Sequence, residues 1–227
     1  MPQAVLNSPL QLVLFDLDGT LADTAPDLAA AANRLRTERG LPPLPYETLR
    51  PLASHGARGL VGCALGVTPD EESFPALRDE FLGFYEAALC VHTRLFPGME
   101  EVLAQLESSG LRWGIVTNKA ARLTDPLVRQ LGLAQRAAVV VSGDTTAHAK
   151  PHPAPIEHAL AHCHVDAAQA IYVGDDVRDI EAGRAARLRT VAVSYGYLGA
   201  GTPIEAWGAD AIAASPGDLL RRVIRGE

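Results

Sequence analysis

Leu12-Val13-Leu14-Phe15-Asp16-Leu17-Asp18-Gly19-Thr20 is an apolar run that ends in two carboxylates two residues apart. Leu12 to Phe15 are too few for a helix and read as a buried strand. Open parallel sheets bind their ligands outside the carboxyl ends of strands, which is where Asp16 and Asp18 emerge. Two carboxylates so placed can be aimed at one reacting atom, with Gly19 letting the backbone approach and Thr20 adding a hydroxyl. The plainer alternative is a strand-to-helix turn in which Asp and Gly serve only as turn and cap residues.

Three further pieces follow in order along the chain. Trp113-Gly114-Ile115-Val116-Thr117-Asn118 is a second apolar strand, ending in a hydroxyl and an amide. Ala149-Lys150-Pro151 places a lysine before a proline-rich helix start, and Ile171-Tyr172-Val173-Gly174-Asp175-Asp176-Val177-Arg178-Asp179 is a third strand ending in an acidic cluster. Roughly a hundred residues separate Asp18 from Thr117, whereas the later pieces follow at ordinary βα intervals, so something is inserted. The intervening segment reads as helical: Leu28–Leu35, Gly59–Leu65, and Leu77 through Leu89 with Leu77, Phe81, Phe84, Tyr85 and Ala88 at helical spacing. The expected organisation is a core of residues 1–22 and 96–227, with a helical cap of residues 23–95. Two crossings, near Leu21–Pro26 and His92–Pro97, would join them.

The rest alternates helix and strand. A helix from Met99 to Leu106, stopped at Gly110, precedes a strand over Leu111–Val116; strands at Ala137–Val141, Ala170–Val173 and Thr190–Val193 follow. Ala209–Ala213 reads as a short edge strand and Leu219–Ile224 as a closing helix. Alternating βα units imply an α/β fold, a doubly wound, Rossmann-like parallel sheet with helices on both faces. Arg187 follows a helix, and if it is left-handed its Cβ costs about 1–2 kcal/mol.

The four pieces together resemble the haloacid dehalogenase superfamily, whose phosphatases carry an aspartate nucleophile, a Thr or Ser with Asn, a Lys, and an acidic G-D-x-x-x-D loop. Asp23-Thr24-Ala25-Pro26-Asp27-Leu28, Ile115-Val116-Thr117-Asn118-Lys119 and Tyr172-Val173-Gly174-Asp175-Asp176 are most similar to phosphoglycolate phosphatases. Ser54-His55-Gly56-Ala57-Arg58, Leu95-Phe96-Pro97-Gly98-Met99 and Asn118-Lys119 are also similar to a bacterial group that dephosphorylates N-acetylmuramic acid 6-phosphate.

The resemblance implies a magnesium-dependent phosphomonoester hydrolase. Asp16 would attack phosphorus and form an aspartyl-phosphate, with Asp18 as general acid and base. Lys150, Thr117 and Asn118 would hold the non-bridging phosphate oxygens; the alternative for Lys150 is a solvated surface lysine. Mg2+ would take the Asp16 carboxylate, the Asp18 backbone carbonyl and Asp175 directly, with Asp176 or Asp179 acting through water. The implied substrate is a small carboxylated phosphate ester, 2-phosphoglycolate first and N-acetylmuramic acid 6-phosphate second. His55, Gly56 and Arg58 form the expected cap loop facing Asp16, with Arg58 reading the carboxylate or else lying in solvent. A sugar phosphomutase of the same fold is the remoter alternative, and Thr20 counts against it because such mutases usually have Val there.

Composition bounds the rest. Of 227 residues, 48% are hydrophobic and 21% charged, near the globular average, and no apolar run is long enough to span a bilayer. A formal charge of −7 without a basic stripe excludes a nucleic-acid partner and requires any phosphate site to be built locally. Met1–Leu10 has neither the basic residue nor the cleavage pattern of a signal peptide, and Cys63, Cys90 and Cys163 form no pair, so buried, reduced thiols of a cytoplasmic protein are expected. His158 and His162, four apart, with His148, His152 and His164 nearby, offer a rival zinc site. Lacking an identifiable acidic or thiolate partner, they read as exposed histidines. Oligomeric state is not encoded in any of these features.

Overall fold

A computed structural model describes residues 9–199 and 201–225; residues 1–8, most of the segment read as carrying no leader, lie outside them. Leu12–Phe15 form β1, fully buried, and sit in the middle of a six-stranded parallel sheet. Two short strands, β2 (Ala22–Asp23) and β3 (Arg94–Leu95), pair separately as an antiparallel ribbon. The remaining sheet strands are β4 (Arg112–Val116), β5 (Val140–Val141), β6 (Ala170–Gly174), β7 (Arg189–Val193) and β8 (Ala211–Ala213), in the order β5-β4-β1-β6-β7-β8. Phe15 is level with Ile115 on one side and with Val173 on the other. Residues just past those three positions therefore emerge together, where the strand order reverses about β1.

Side chains alternate across the strand, so β1 feeds two cores at once. Val13 and Phe15 join the cluster beneath α5 (Met99–Ser108), α6 (Ala121–Gln130) and α9 (Pro216–Arg225). Leu12 and Leu14 join Ile156, Ala159, Leu160 and Cys163 of α7 (Ala154–Cys163) and Ala182 of α8 (Val177–Ala185). Burial on both faces explains why β1 is apolar without interruption.

Between the ribbon strands lie α1 (Ala25–Thr37), α2 (Tyr46–Leu49), α3 (Gly56–Leu65) and α4 (Phe74–Ala87). Leu28, Leu35, Leu60, Val61, Phe81 and Tyr85 are buried at the helical spacing read from sequence, and they belong to the same continuous apolar cluster as Val13 and Phe15. The fifth strand is shorter than Ala137–Val141, although the Ala138 N–H to Trp113 carbonyl bond (2.8 Å) extends its pairing. Arg187 does adopt φ +65°, and it is exposed. Of the three free cysteines only Cys163 is buried; Cys63 and Cys90 are half-buried, because each flanks rather than faces the core. Among the described residues no helix is long and apolar enough to cross a membrane.

Candidate active site

Asp16 follows β1, Thr117 follows β4 and Asp175 follows β6, each held to the neighbouring strand's end. The Asp16 N–H donates to Val173 (2.9 Å) and the Thr117 N–H to Val141 (2.9 Å). Lys150 arrives from the loop after β5 and is 5% exposed. Asn118 clasps its backbone: the amide NH2 donates to the Lys150 carbonyl (2.9 Å) and the amide oxygen accepts the Lys150 N–H (2.9 Å). Asn118, expected to hold a phosphate oxygen, lines the cavity and braces Lys150 through one amide N–H and its amide oxygen.

The Lys150 ammonium lies within 2.9 Å of the Val116 carbonyl and of the Tyr172 hydroxyl, 2.7 Å from Asp179 Oδ1 and 2.8 Å from Asp16 Oδ1. The Tyr172 hydroxyl in turn donates to the Val116 carbonyl (2.8 Å). Asp16 Oδ1, although close to the ammonium, is buried without a properly directed hydrogen bond. Carboxylate oxygens of Asp16, Asp175 and Asp179 all lie within 4.8 Å of one another. Burial pushes the Asp16 carboxyl up to about 7, Lys150 opposing the rise and Asp179 and Asp18 adding to it. Burial, then Asp16 and Asp179, drive Asp175 well above the carboxylate range as well. Three carboxylates and one ammonium leave an excess of negative charge that a divalent cation with oxygen ligands fits.

Glycine makes this crowding possible. A Cβ on Gly19, whose φ is +87°, would stand 2.1 Å from Asp175 Oδ2, so the loop that delivers Asp18 lies directly on the acidic cluster. Thr20 donates to Asp175 Oδ1 (3.0 Å), binding the two loops together. Asp179 sits inside the cluster, but Asp176 does not. Its oxygens accept from the Arg178 N–H (2.9 Å), Nε (2.8 Å) and Nη2 (2.9 Å), capping α8. Of the two candidates for the water-mediated metal position, Asp176 is therefore set aside.

Asp18 has a different environment. Its Oδ1 accepts from Lys119 Nζ at 2.6 Å and from the Thr24 hydroxyl at 2.5 Å. Lys119 also donates to the Tyr85 hydroxyl (2.9 Å) on α4. Burial alone would disfavour the ammonium, but Asp18 and Tyr85 outweigh it and raise the Lys119 pKa. Lys119 and Tyr85 had no role assigned from sequence. The adjacency Asn118-Lys119 was the only signal for the first, and Tyr85 read simply as an apolar position of α4.

A cavity of about 420 Å³ opens over these groups. Asp16, Asp18, Thr117, Lys119 and Lys150 form its floor, and His55, Gly56, Leu28, Ala53, Phe81 and Leu82 its opposite wall. His55 and Gly56 line the same cavity as Asp16; Gly56 has φ +53°, a turn from the preceding 3-10 segment into α3 that favours glycine. Arg58 does not line this cavity. It is exposed, in the first turn of α3, and borders an adjoining groove with Val67, Pro69 and Trp207 that shares His55, Asp176 and Arg178 with the cavity. Two guanidinium groups do line the cavity, those of Arg122 and Arg178, and Arg178 donates to the Ser54 carbonyl (2.6 Å). His148, His152, His158, His162 and His164 are all exposed, and the three-aspartate cluster is the only multi-ligand group among the described residues.

Residues 13–193 match the haloacid dehalogenase-like hydrolase family. The chain is 45% identical to an N-acetylmuramic acid 6-phosphate phosphatase from Pseudomonas putida, covering 95% of this chain and 96% of that protein. It is 47% identical to a phosphoglycolate phosphatase from Xanthomonas campestris pv. campestris, covering 91% and 93%. The crystal structure of a predicted phosphoglycolate phosphatase from Haemophilus somnus superposes with a TM-score of 0.82 at 29% identity, over 93% of this chain and 97% of that one. With its strand-end aspartates, buried lysine and inserted helices arranged as described, the chain belongs to the haloacid dehalogenase-like hydrolases and is a phosphomonoester hydrolase of that family.

Proposed function

We propose that the chain hydrolyses N-acetylmuramic acid 6-phosphate, in the cytoplasm, through a phosphorylated Asp16. The observation that carries this choice is the cavity: about 420 Å³, with Leu28, Ala53, Ala57, Phe81 and Leu82 forming an apolar wall opposite Asp16. Pockets of this size enclose drug-sized ligands. A two-carbon ester would leave the wall uncovered, whereas a sugar carrying acetyl and lactyl methyl groups covers it. The Pseudomonas putida relative supports the same substrate, and three cysteines without a disulfide fit a reducing compartment.

In the first step an Asp16 oxygen bonds to phosphorus, the bond from phosphorus to the sugar oxygen breaks, and Asp18 gives its proton to that oxygen. In the second, Asp18 takes a proton from water as the water oxygen bonds to phosphorus, and the acyl–phosphate bond breaks. Inorganic phosphate leaves and Asp16 is restored. Lys150 and Thr117 face the transferring group from the floor. Asp16, Asp175 and the Asp18 backbone carbonyl would hold Mg2+, with Asp179 acting through water, and the ion would supply positive charge against the phosphate dianion. Residues 23–95 act as a cap that opens at the β2–β3 ribbon to admit substrate.

A second reading, 2-phosphoglycolate, rests on the 47% identical Xanthomonas relative. A panel of kcat/KM values for N-acetylmuramic acid 6-phosphate, 2-phosphoglycolate and N-acetylglucosamine 6-phosphate, with free phosphate measured, separates them. The first compound should lead. A lead for phosphoglycolate would transfer the assignment to the second reading, and an isomeric sugar phosphate in place of free phosphate would make the chain a mutase.

A further inference from the structure

The loop after β7 brings Tyr197, 3% exposed, between the two halves of the site. Its backbone N–H donates to Asp175 Oδ2 (2.8 Å). Its hydroxyl oxygen accepts from the Thr24 N–H (2.7 Å) and the Ala25 N–H (2.9 Å), and its proton goes to Asp23 Oδ1 (2.9 Å). One phenol thereby uses its full hydrogen-bonding capacity on three consecutive residues at the base of α1. The Thr24 hydroxyl, fixed in this way, donates to Asp18. Arg50 of the helical segment packs 5.0 Å over the ring and donates to the Gly196 carbonyl (3.1 Å). Tyr197 does not line the cavity over Asp16.

We infer that Tyr197 is a positioning residue: its side chain sets Asp18 through Thr24, while its main chain sets Asp175. The inference rests on Asp18 being the general acid. The two arms are separable, because Tyr197→Phe removes only the hydroxyl and keeps the N–H on Asp175. In Tyr197→Phe, kcat/KM for an alkyl phosphate, which stops at transfer to Asp16 and leaves out the later proton transfer from water, should fall about tenfold or more, the order of a general-acid contribution weakened by misplacement. For p-nitrophenyl phosphate, whose leaving group needs no proton, kcat/KM should fall less than about threefold. The Mg2+ concentration for half-maximal activity should stay within about twofold, since the Asp175 bond is retained.

Asp18→Asn, compared by kcat/KM on the same pair of substrates, tests the underlying reading: loss confined to the alkyl ester supports the general acid, and equal loss on both removes that assignment and this inference with it. If Asp18→Asn discriminates and Tyr197→Phe lowers both substrates equally, Tyr197 is merely structural and the inference fails. Should Tyr197→Phe not fold, Thr24→Val cuts the same relay at its other end. Thr24→Val must show the alkyl-selective loss, with Thr24→Ser recovering it; a uniform loss overturns the relay.

Discussion

The two aspartates of one loop live in opposite electrostatic surroundings. Asp16 shares a single ammonium, Lys150, with Asp179, and stands beside Asp175. Asp18 has Lys119 to itself, at 2.6 Å, and a hydroxyl besides. The first pole is a surplus of negative charge on the fixed core, suited to gathering a cation and an electrophile. The second is already balanced, and its partners Lys119, Thr24 and Tyr85 come from both the core and the helical segment. A carboxylate read as nucleophile and metal ligand is left short of donors, while the donors around the second fix its position beside the first.

Removing each carboxylate should therefore have opposite effects on stability. Asp16→Asn is expected to lower turnover by at least about three orders of magnitude, because the amide is neither nucleophile nor anionic ligand. In chelator the same variant should melt higher than the parent, since the folded state no longer holds that charge against Asp175 and Asp179. Asp18→Asn should melt lower, leaving Lys119 buried without its counter-charge. Melting curves shifted in the same direction for both variants would erase the contrast.

Metal removal probes the crowded pole alone. Chelator should abolish activity and Mg2+ restore it, with a rise in melting temperature as the carboxylates are neutralised. Calcium should inhibit, because its looser coordination draws both Asp16 oxygens onto the metal and away from phosphorus. Full turnover in excess chelator would refute the mechanism.

The crowded pole was largely legible in the sequence, and the balanced one was not. Asp16, Thr117 and Asp175 follow apolar runs, and parallel strands in one register must deliver their next residues to one edge. Lys150 was legible through its place in the ordered set. Lys119, Tyr85 and Arg178 are long side chains on a loop or a helix start, and only tertiary packing decides where such groups point. The same indeterminacy made Asp176 interchangeable with Asp179, until the α8 cap claimed one of them, and hid the bracing of Lys150 by the Asn118 amide.

Lys119 joins the balanced pole to α4, so Lys119→Met tests whether that balance matters. Loss of one partner from a largely buried pair costs about 3 kcal/mol. Much of that should return in the double variant with Asp18→Asn, which removes the stranded carboxylate. Additive losses would mean that Lys119 stabilises the fold through Tyr85 rather than through Asp18.

The smallest effect is expected at Arg58. From the sequence its guanidinium reads either the substrate carboxylate or the solvent, and in the first turn of α3 it is exposed and borders a groove adjoining the cavity. An exposed side chain with no ion pair among the described residues should be replaceable at about 0.5 kcal/mol or less, or roughly twofold in kcat/KM. Arg178→Ala, by contrast, removes the bonds to Asp176 and to the Ser54 carbonyl and should raise KM appreciably, because the wall bearing His55 loses its anchor to the core. If Arg58→Ala instead costs tenfold on N-acetylmuramic acid 6-phosphate and nothing on p-nitrophenyl phosphate, the loop from His55 to Arg58 must rotate toward Asp16 when substrate binds. Recognition of the carboxylate would then belong to a cap position different from the one seen in this structure.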